Sequence, residues 1–356
     1  MRVSACMGLA LSALMACSCR GAAPEQFAPL PDENVWRLAD HRQDIIRQSC
    51  PNGPDDGFEL SFLLSAEPVS LGEPDAVAKA FPGMDFLGGW TLSASPSSFG
   101  GLSGLKVMTS GNLLAISDGG AFVEIGFDQD ALAPTERADL AFLRDESGEI
   151  LTGKLAADAE GLELSGDIAL VSFERHHRVI AFARDICGSN ARAVPVAEIP
   201  DAPPSLGSSI RNNSGAEALS MQSGRLMIGL ESVIDQLGPV AVVDAGGEVQ
   251  FAARPWLDGE GLPLVGLDAL DGTLFSLHRA YNPLTGNSIL VSETADDGTM
   301  RVLGRLSKPL TVDNFEGIAV VDRPDGERRL FIIADDNFSD RQQTLLFAFR
   351  LRPRGS

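Results

Sequence analysis

Histidine is scarce, with four in 356 residues. There is no Cys-x-x-Cys pair, no Cys/His cluster and no His-Glu-x-x-His, which leaves little room for a zinc site. A P-loop and a dinucleotide fingerprint behind a strand are also missing. Gly101-Leu102-Ser103-Gly104-Leu105 matches only half of a G-x-S-x-G nucleophile elbow, so a serine nucleophile is disfavoured. Basic residues are few: Lys plus Arg total 28 against 49 Asp plus Glu, a net charge of −21. That balance argues against nucleic acid, whose phosphates need basic patches. It also argues against unassisted binding of highly phosphorylated molecules. Hard cations such as calcium suit it better, with solubility alone as the competing explanation.

No apolar run is long enough for a permanent membrane span. Met1–Ala16 reads as a secretory signal, residues 17–52 as tether and lead-in, and 53–356 as the folded domain. Leu14-Met15-Ala16-Cys17 has the form of a lipobox, which makes Cys17 the expected lipidation site; an ordinary secretory signal is the alternative. In a Gram-negative bacterium Ser18, not Asp, at the next position would direct such a protein to the outer membrane. The expectation is an exported cell-envelope protein facing the periplasm, monomeric and attached to the membrane only by acyl chains. Cys50 and Cys187 remain in the folded part, either as a disulfide or as two buried thiols.

Strand signals dominate the rest. Asp313–Leu351 reads as strand, Pro/Gly/Asp turn, strand, acidic stop, strand. The pattern recurs. Ser103-Gly104-Leu105, Glu160-Gly161-Leu162, Glu217-Ala218-Leu219, Asp268-Ala269-Leu270 and Glu316-Gly317-Ile318 each open a strand, at intervals of 57, 57, 51 and 48 residues. Each is followed by an apolar strand that stops at a polar residue: Asp118, Glu174, Glu231, His278 and Asp335. A third strand then follows in every unit. Repeats of about 50 residues with several strands each predict a β-propeller. Five units are visible, and Phe58–Ser95 has the length of a sixth. The expectation is an all-β, six-bladed propeller whose N-terminal strands complete the last sheet. A pair of β-sandwiches is the alternative, but it leaves the recurring triplet unexplained.

If the triplets open the innermost strands, their acids converge on the axis. Carboxylates in a narrow channel repel unless something neutralises them. Glu160, Glu217, Asp268 and Glu316 are therefore the expected ligands of a calcium ion. Glu160, Glu217 and Glu316 would act catalytically through it by polarising an ester and activating water, with Arg211 and Arg178 orienting the anion. Strand capping, ion pairing with neighbouring units and common descent from one duplicated repeat compete with this reading.

Phe99–Asp118, Asp158–Arg178, Asn213–Glu231 and above all Asn314–Leu351 (NFEGIAV, ADDNFS, QTLLFAFRL) resemble the phytase-like family, the "esterase-like activity of phytase" domain. The resemblance implies a secreted or lipid-anchored propeller; the recurring acids make metal-dependent hydrolysis of an ester or phosphoester the expected function. A non-catalytic envelope protein that binds a ligand on its propeller face is the alternative.

Overall fold

The structure, a computed structural model, describes residues 32–55, 57–251 and 256–354. The signal, most of the tether and Cys17 lie outside the described residues. Five four-stranded antiparallel units follow one another around a common axis. The first is Leu102–Val107, Leu113–Ser117, Ala121–Asp128 and Ala133–Phe142. The second is Ala159–Ser165, Ile168–Phe173, Arg178–Phe182 and Val194–Glu198. The third is Ala216–Gln222, Arg225–Leu230, Val240–Val243 and Val249–Gln250. The fourth is Leu264–Leu270, Thr273–Asn282, Gly286–Thr294 and Met300–Ser307. The fifth takes Phe315–Asp322, Arg328–Ala334 and Thr344–Leu351 from the C-terminal end and Met84–Ala94 from the N-terminal end.

The first strands of the five units touch in cyclic order, the fifth against the first, so the ring is closed and propeller-like. Six blades were expected and the ring holds five. Residues 58–95 contain two strands and the helix Pro74–Ala80, too few strands for a blade. Met84–Ala94 becomes the outer strand of the fifth unit, running antiparallel to Thr344–Leu351 from Met84↔Leu351 to Leu92↔Thr344. Leu60–Pro68 divides itself. Leu60–Leu63 pair with the first unit's outer strand, and Leu64–Pro68 pair with Met84–Ala94. The first and fifth units thereby share one nine-stranded sheet. The chain's two ends are hydrogen-bonded together in this way, which removes two sheet edges.

The triplet glycine has a packing reason. In all five units the pairing of the first two strands shifts register at the triplet. In four of them the residue there is Gly104, Gly161, Gly266 or Gly317, lying against the next inner strand. A Cβ on Gly317 would lie 2.6 Å from Cγ2 of Ile333 and 3.0 Å from both Cβ of Leu105 and the carbonyl oxygen of Ser103. Gly317→Ala is therefore expected to cost about 1–3 kcal/mol through overpacking, read as a lower urea midpoint at unchanged slope. An unchanged midpoint would mean that the ring has slack.

Beneath the second unit lies the helix Leu38–Ser49, with Leu38 and Ile45 buried and Trp36 just before it. Cys50 and Cys187 form a disulfide with Cα atoms 5.6 Å apart, tying this helix to that unit. No helix among the described residues is long and apolar enough to cross a membrane.

Candidate metal centre

One backbone hydrogen bond sets the register of the centre. In four units the residue after the second strand, and in the fourth unit Arg279 within Thr273–Asn282, donates its N–H to the carbonyl two residues before the inner-strand position. The pairs are Asp118 to Gly101 (2.8 Å), Glu174 to Asp158 (2.9 Å), Glu231 to Gly215 (3.0 Å), Arg279 to Pro263 (2.9 Å) and Asp335 to Asn314 (3.0 Å). Two five-membered rings follow. The inner one is Ser103, Glu160, Glu217, Val265 and Glu316. The outer one is Asp118, Glu174, Glu231, Arg279 and Asp335.

This register corrects the fourth unit. Its inner residue is Val265, in Val265-Gly266-Leu267, and Asp268 stands three residues further along the strand. Asp268 does not join the acidic centre. Its carboxylate meets the buried Lys106 Nζ at 2.5 Å and accepts the Val320 N–H at 2.6 Å, while Glu163 meets the same Nζ at 2.9 Å. Burial would depress the Lys106 amine, but Asp268 and Glu163 outweigh it and raise its pKa. The polar residue after the fourth second-strand core is likewise Arg279, not His278. The buried His278 ring faces the Leu262 carbonyl at 3.2 Å and Ser276 Oγ at 3.1 Å, and burial lowers its pKa to about 4. Asp268→Asn is expected to cost about 3–5 kcal/mol by leaving Lys106 short of a partner, with calcium affinity unchanged. A lost calcium response at intact fold would put Asp268 back among the ligands.

Glu160, Glu217 and Glu316 do come together. All three are buried, with Glu174 and Asp335. Burial, and then repulsion from Glu316, Asp158, Asp118 and Glu174, pushes the Glu160 carboxyl well up. Glu217 is raised well up by burial and by Glu160, Glu231, Glu316 and Glu174. Burial and the Glu316 charge take Asp335 to about 9, and burial and Asp158 take Glu174 to about 7.

Cations answer only part of this charge. Arg279 Nη2 reaches Glu316 at 3.0 Å and Glu231 at 3.2 Å. Lys154 pairs with Asp118 and, at 2.8 Å, with Asp158, which also pairs with Arg175. Asn314 Nδ2 donates to Glu316 at 3.0 Å. Among the described residues no ion pair reaches Glu160 or Glu217.

The two arginines expected to hold the anion are placed elsewhere. Arg178 donates to the carbonyls of His176 (2.8 Å) and Ala156 (2.7 Å) and its guanidinium carbon lies 4.2 Å from the Phe173 ring centroid. Arg211 is exposed on the loop before the third unit. Lys154, Arg175 and Arg279 stand at the acids instead. Arg279 was legible: it follows Val265 by 14 residues, as Glu174 follows Glu160 and Glu231 follows Glu217.

Carboxylate oxygens of Asp158, Glu160 and Glu174 lie within 4.8 Å of one another, and so do those of Glu174, Glu217 and Glu231. Oxygens bound to one calcium at roughly 2.4 Å are at most about 4.8 Å apart. An all-oxygen donor set with excess negative charge fits a hard cation, and Glu174 belongs to both triads. Below the acids, Leu105, Leu162, Leu219, Leu267 and Ile318 leave about 10 Å³ of axial space. That is room for about one water molecule.

The sequence model of the family described as "Phytase-like: Esterase-like activity of phytase" matches residues 97–338. No curated protein sequence matches the chain. Among solved structures, glutaminyl cyclase of Myxococcus xanthus is 14% identical, covering 76% of this chain and 97% of its own, at a TM-score of 0.42. An endo-arabinase of Bacteroides thetaiotaomicron is 12% identical, covering 73% and 98%, at 0.41. The PQQ-bound aldose sugar dehydrogenase of Streptomyces coelicolor is 11% identical, covering 83% and 99%, at 0.39.

Proposed function

Because the chain belongs to the phytase-like (esterase-like activity of phytase) family, we propose that it is a hydrolase of small esters or phosphoesters that works with calcium at the acidic end of the axis. The observation that carries this is the pair of oxygen triads sharing Glu174. Glu174, Glu217 and Glu231 would hold the ion, with Asp158 and Glu160 alongside. When bound, calcium supplies Lewis acidity to the ester oxygen and to water. The chain's own residues do the rest. Packed inner strands hold the carboxylates in place, the leucine layer below leaves room on the axis for about one water molecule, and Arg279 offsets the charge of Glu231 and Glu316 where the fourth unit lacks acids.

The same reading includes export and a lipid anchor at Cys17. The Cys50–Cys187 disulfide supports an oxidising compartment. The test is a panel of phosphate monoesters, phosphodiesters and lactones with EDTA or with calcium. Turnover restored by calcium and lost in Glu217→Gln is expected. Calcium binding without turnover of any substrate would leave a binding protein of the envelope.

A further inference from the structure

A cleft of about 670 Å³ opens beside the acidic centre, lined among others by Arg279, Lys308, Asp313, Asn314 and Arg341. Its charge is opposite to that of the chain, with three cations and one carboxylate. The carboxylate is already engaged: Asp313 accepts the N–H of Asn314 at 2.9 Å and of Gln343 at 3.0 Å. Lys308 and Arg341 are exposed and make no ion pair among the described residues. In a protein of net charge −21, two such cations facing one cleft make a place for an oxyanion.

Arg279 belongs to both the cleft and the centre. It lines the cleft, yet its Nη2 is divided between Glu231 and Glu316. Its Nε is buried without a hydrogen-bond partner. A buried donor left unpaired is costly, so Arg279 gains from a rearrangement that gives this Nε an acceptor. Glu231 is also one of the three carboxylates that would hold calcium. An ion there competes with Arg279 for the same oxygens.

We propose that calcium and an oxyanion bind in linked fashion through Arg279. The ion takes over Glu231, and the guanidinium, left with Glu316 as its one carboxylate partner, swings toward Lys308 and Arg341 to hold a phosphate or carboxylate group in the cleft. This rests on the calcium reading above and adds the seat of the substrate's anionic group and an order of binding. Without calcium, Arg279 is held by the acids and the cleft is a weak site. With calcium, it becomes a three-cation site. Linkage is reciprocal, so the oxyanion tightens calcium by the same factor.

The probe is phenylphosphonate, whose C–P bond an ester hydrolase does not cleave, titrated calorimetrically into chelated and calcium-loaded protein. Calcium is expected to tighten phosphonate binding by roughly tenfold or more. Lys308→Ala/Arg341→Ala, both on the surface, should abolish phosphonate binding and leave calcium binding unchanged. Arg279→Gln should bind calcium more tightly and lose the linkage. Benzoate in place of phosphonate separates carboxylate from phosphoryl preference. Equal phosphonate affinity with and without calcium overturns the linkage while the calcium reading stands. Full linkage surviving in Arg279→Gln places the anion directly on the ion and overturns the role of Arg279. No heat from calcium itself overturns the calcium reading, and this inference with it.

Discussion

Glu174→Gln is expected to raise the melting temperature of the chelated protein and to abolish the further rise that calcium gives the unaltered one. Glu174 is the carboxylate common to both triads. Without an ion it is a buried charge facing Asp158 and Glu231, so removing the charge relieves repulsion. With an ion it is a ligand to either triad, and glutamine offers one neutral oxygen in its place. A ligand present at 100 times its Kd adds about 2.7 kcal/mol to the stability of a folded chain, and that increment is what the variant should lose. The opposite signs in the two conditions distinguish a ligand from a structural acid, whose removal would destabilise in both. Parallel melts with EDTA and with calcium read the result. A calcium shift of normal size in Glu174→Gln would remove the triads from the account.

Stability of the chelated protein is expected to fall as pH rises from about 5 to 9. Asp335 has its pKa raised to about 9 and Glu174 to about 7, in both cases first by burial. A carboxyl whose folded pKa lies above its unfolded value binds more protons when folded. Its contribution is complete below the unfolded pKa of about 4 and is lost as pH climbs through the folded one. Glu174 gives up its share by about pH 7 and Asp335 by about pH 9, each with a slope of up to about 1.4 kcal/mol per pH unit. Asp118, Glu160, Glu217, Glu231 and Glu316 shift in the same direction. The exposed pairs oppose this only in acid. Asp85 beside Arg352 and Arg350, and Asp322 beside Arg328, have lowered pKa values, and their share is lost as pH falls below about 4. On the calcium reading proposed above, the ion takes the place of these protons, so the alkaline decline should flatten when it is added. Urea unfolding at pH 5, 7 and 9, with EDTA and with calcium, checks both slopes. A chelated protein whose stability rises through this range would contradict the burial of these carboxyls.

The strands were legible because their apolar runs stop at polar residues. Leu113–Ser117, Ile168–Phe173 and Thr344–Leu351 have the bounds that alternation and turn chemistry predict. The return of an N-terminal strand to the last unit was legible too, whereas the number of blades was not. Residues 58–95 have the length of a blade, but they supply one strand to each of two neighbours, and strand pairing across the whole chain is not encoded locally. In the fourth unit two triplets lie three residues apart, Val265-Gly266-Leu267 and Asp268-Ala269-Leu270. Choosing by charge selects the second, and choosing by glycine selects the first. Glycine is the sounder guide here, since at Gly266 the neighbouring inner strand leaves no room for a Cβ: one would lie 2.5 Å from the Glu316 carbonyl oxygen. Arg178 looked available for an anion because one of its acceptors, the Ala156 carbonyl, lies 22 residues back in the chain and the other is a backbone carbonyl two residues away that no side-chain pattern marks. Lys154 was missed because it arrives from a short helix, Lys154–Ala157, that carries no repeat signal.

Calorimetric titration of calcium into the chelated protein at pH 7.5, repeated in buffers of different ionisation enthalpy, tests the central claim most directly. Binding is predicted, with a heat that varies with the buffer, because carboxyls held protonated by burial must release protons to take the ion. The Glu217→Gln variant should bind at least tenfold more weakly. A flat titration, or binding of the same strength in wild type and Glu217→Gln, would contradict a calcium centre built on the inner ring.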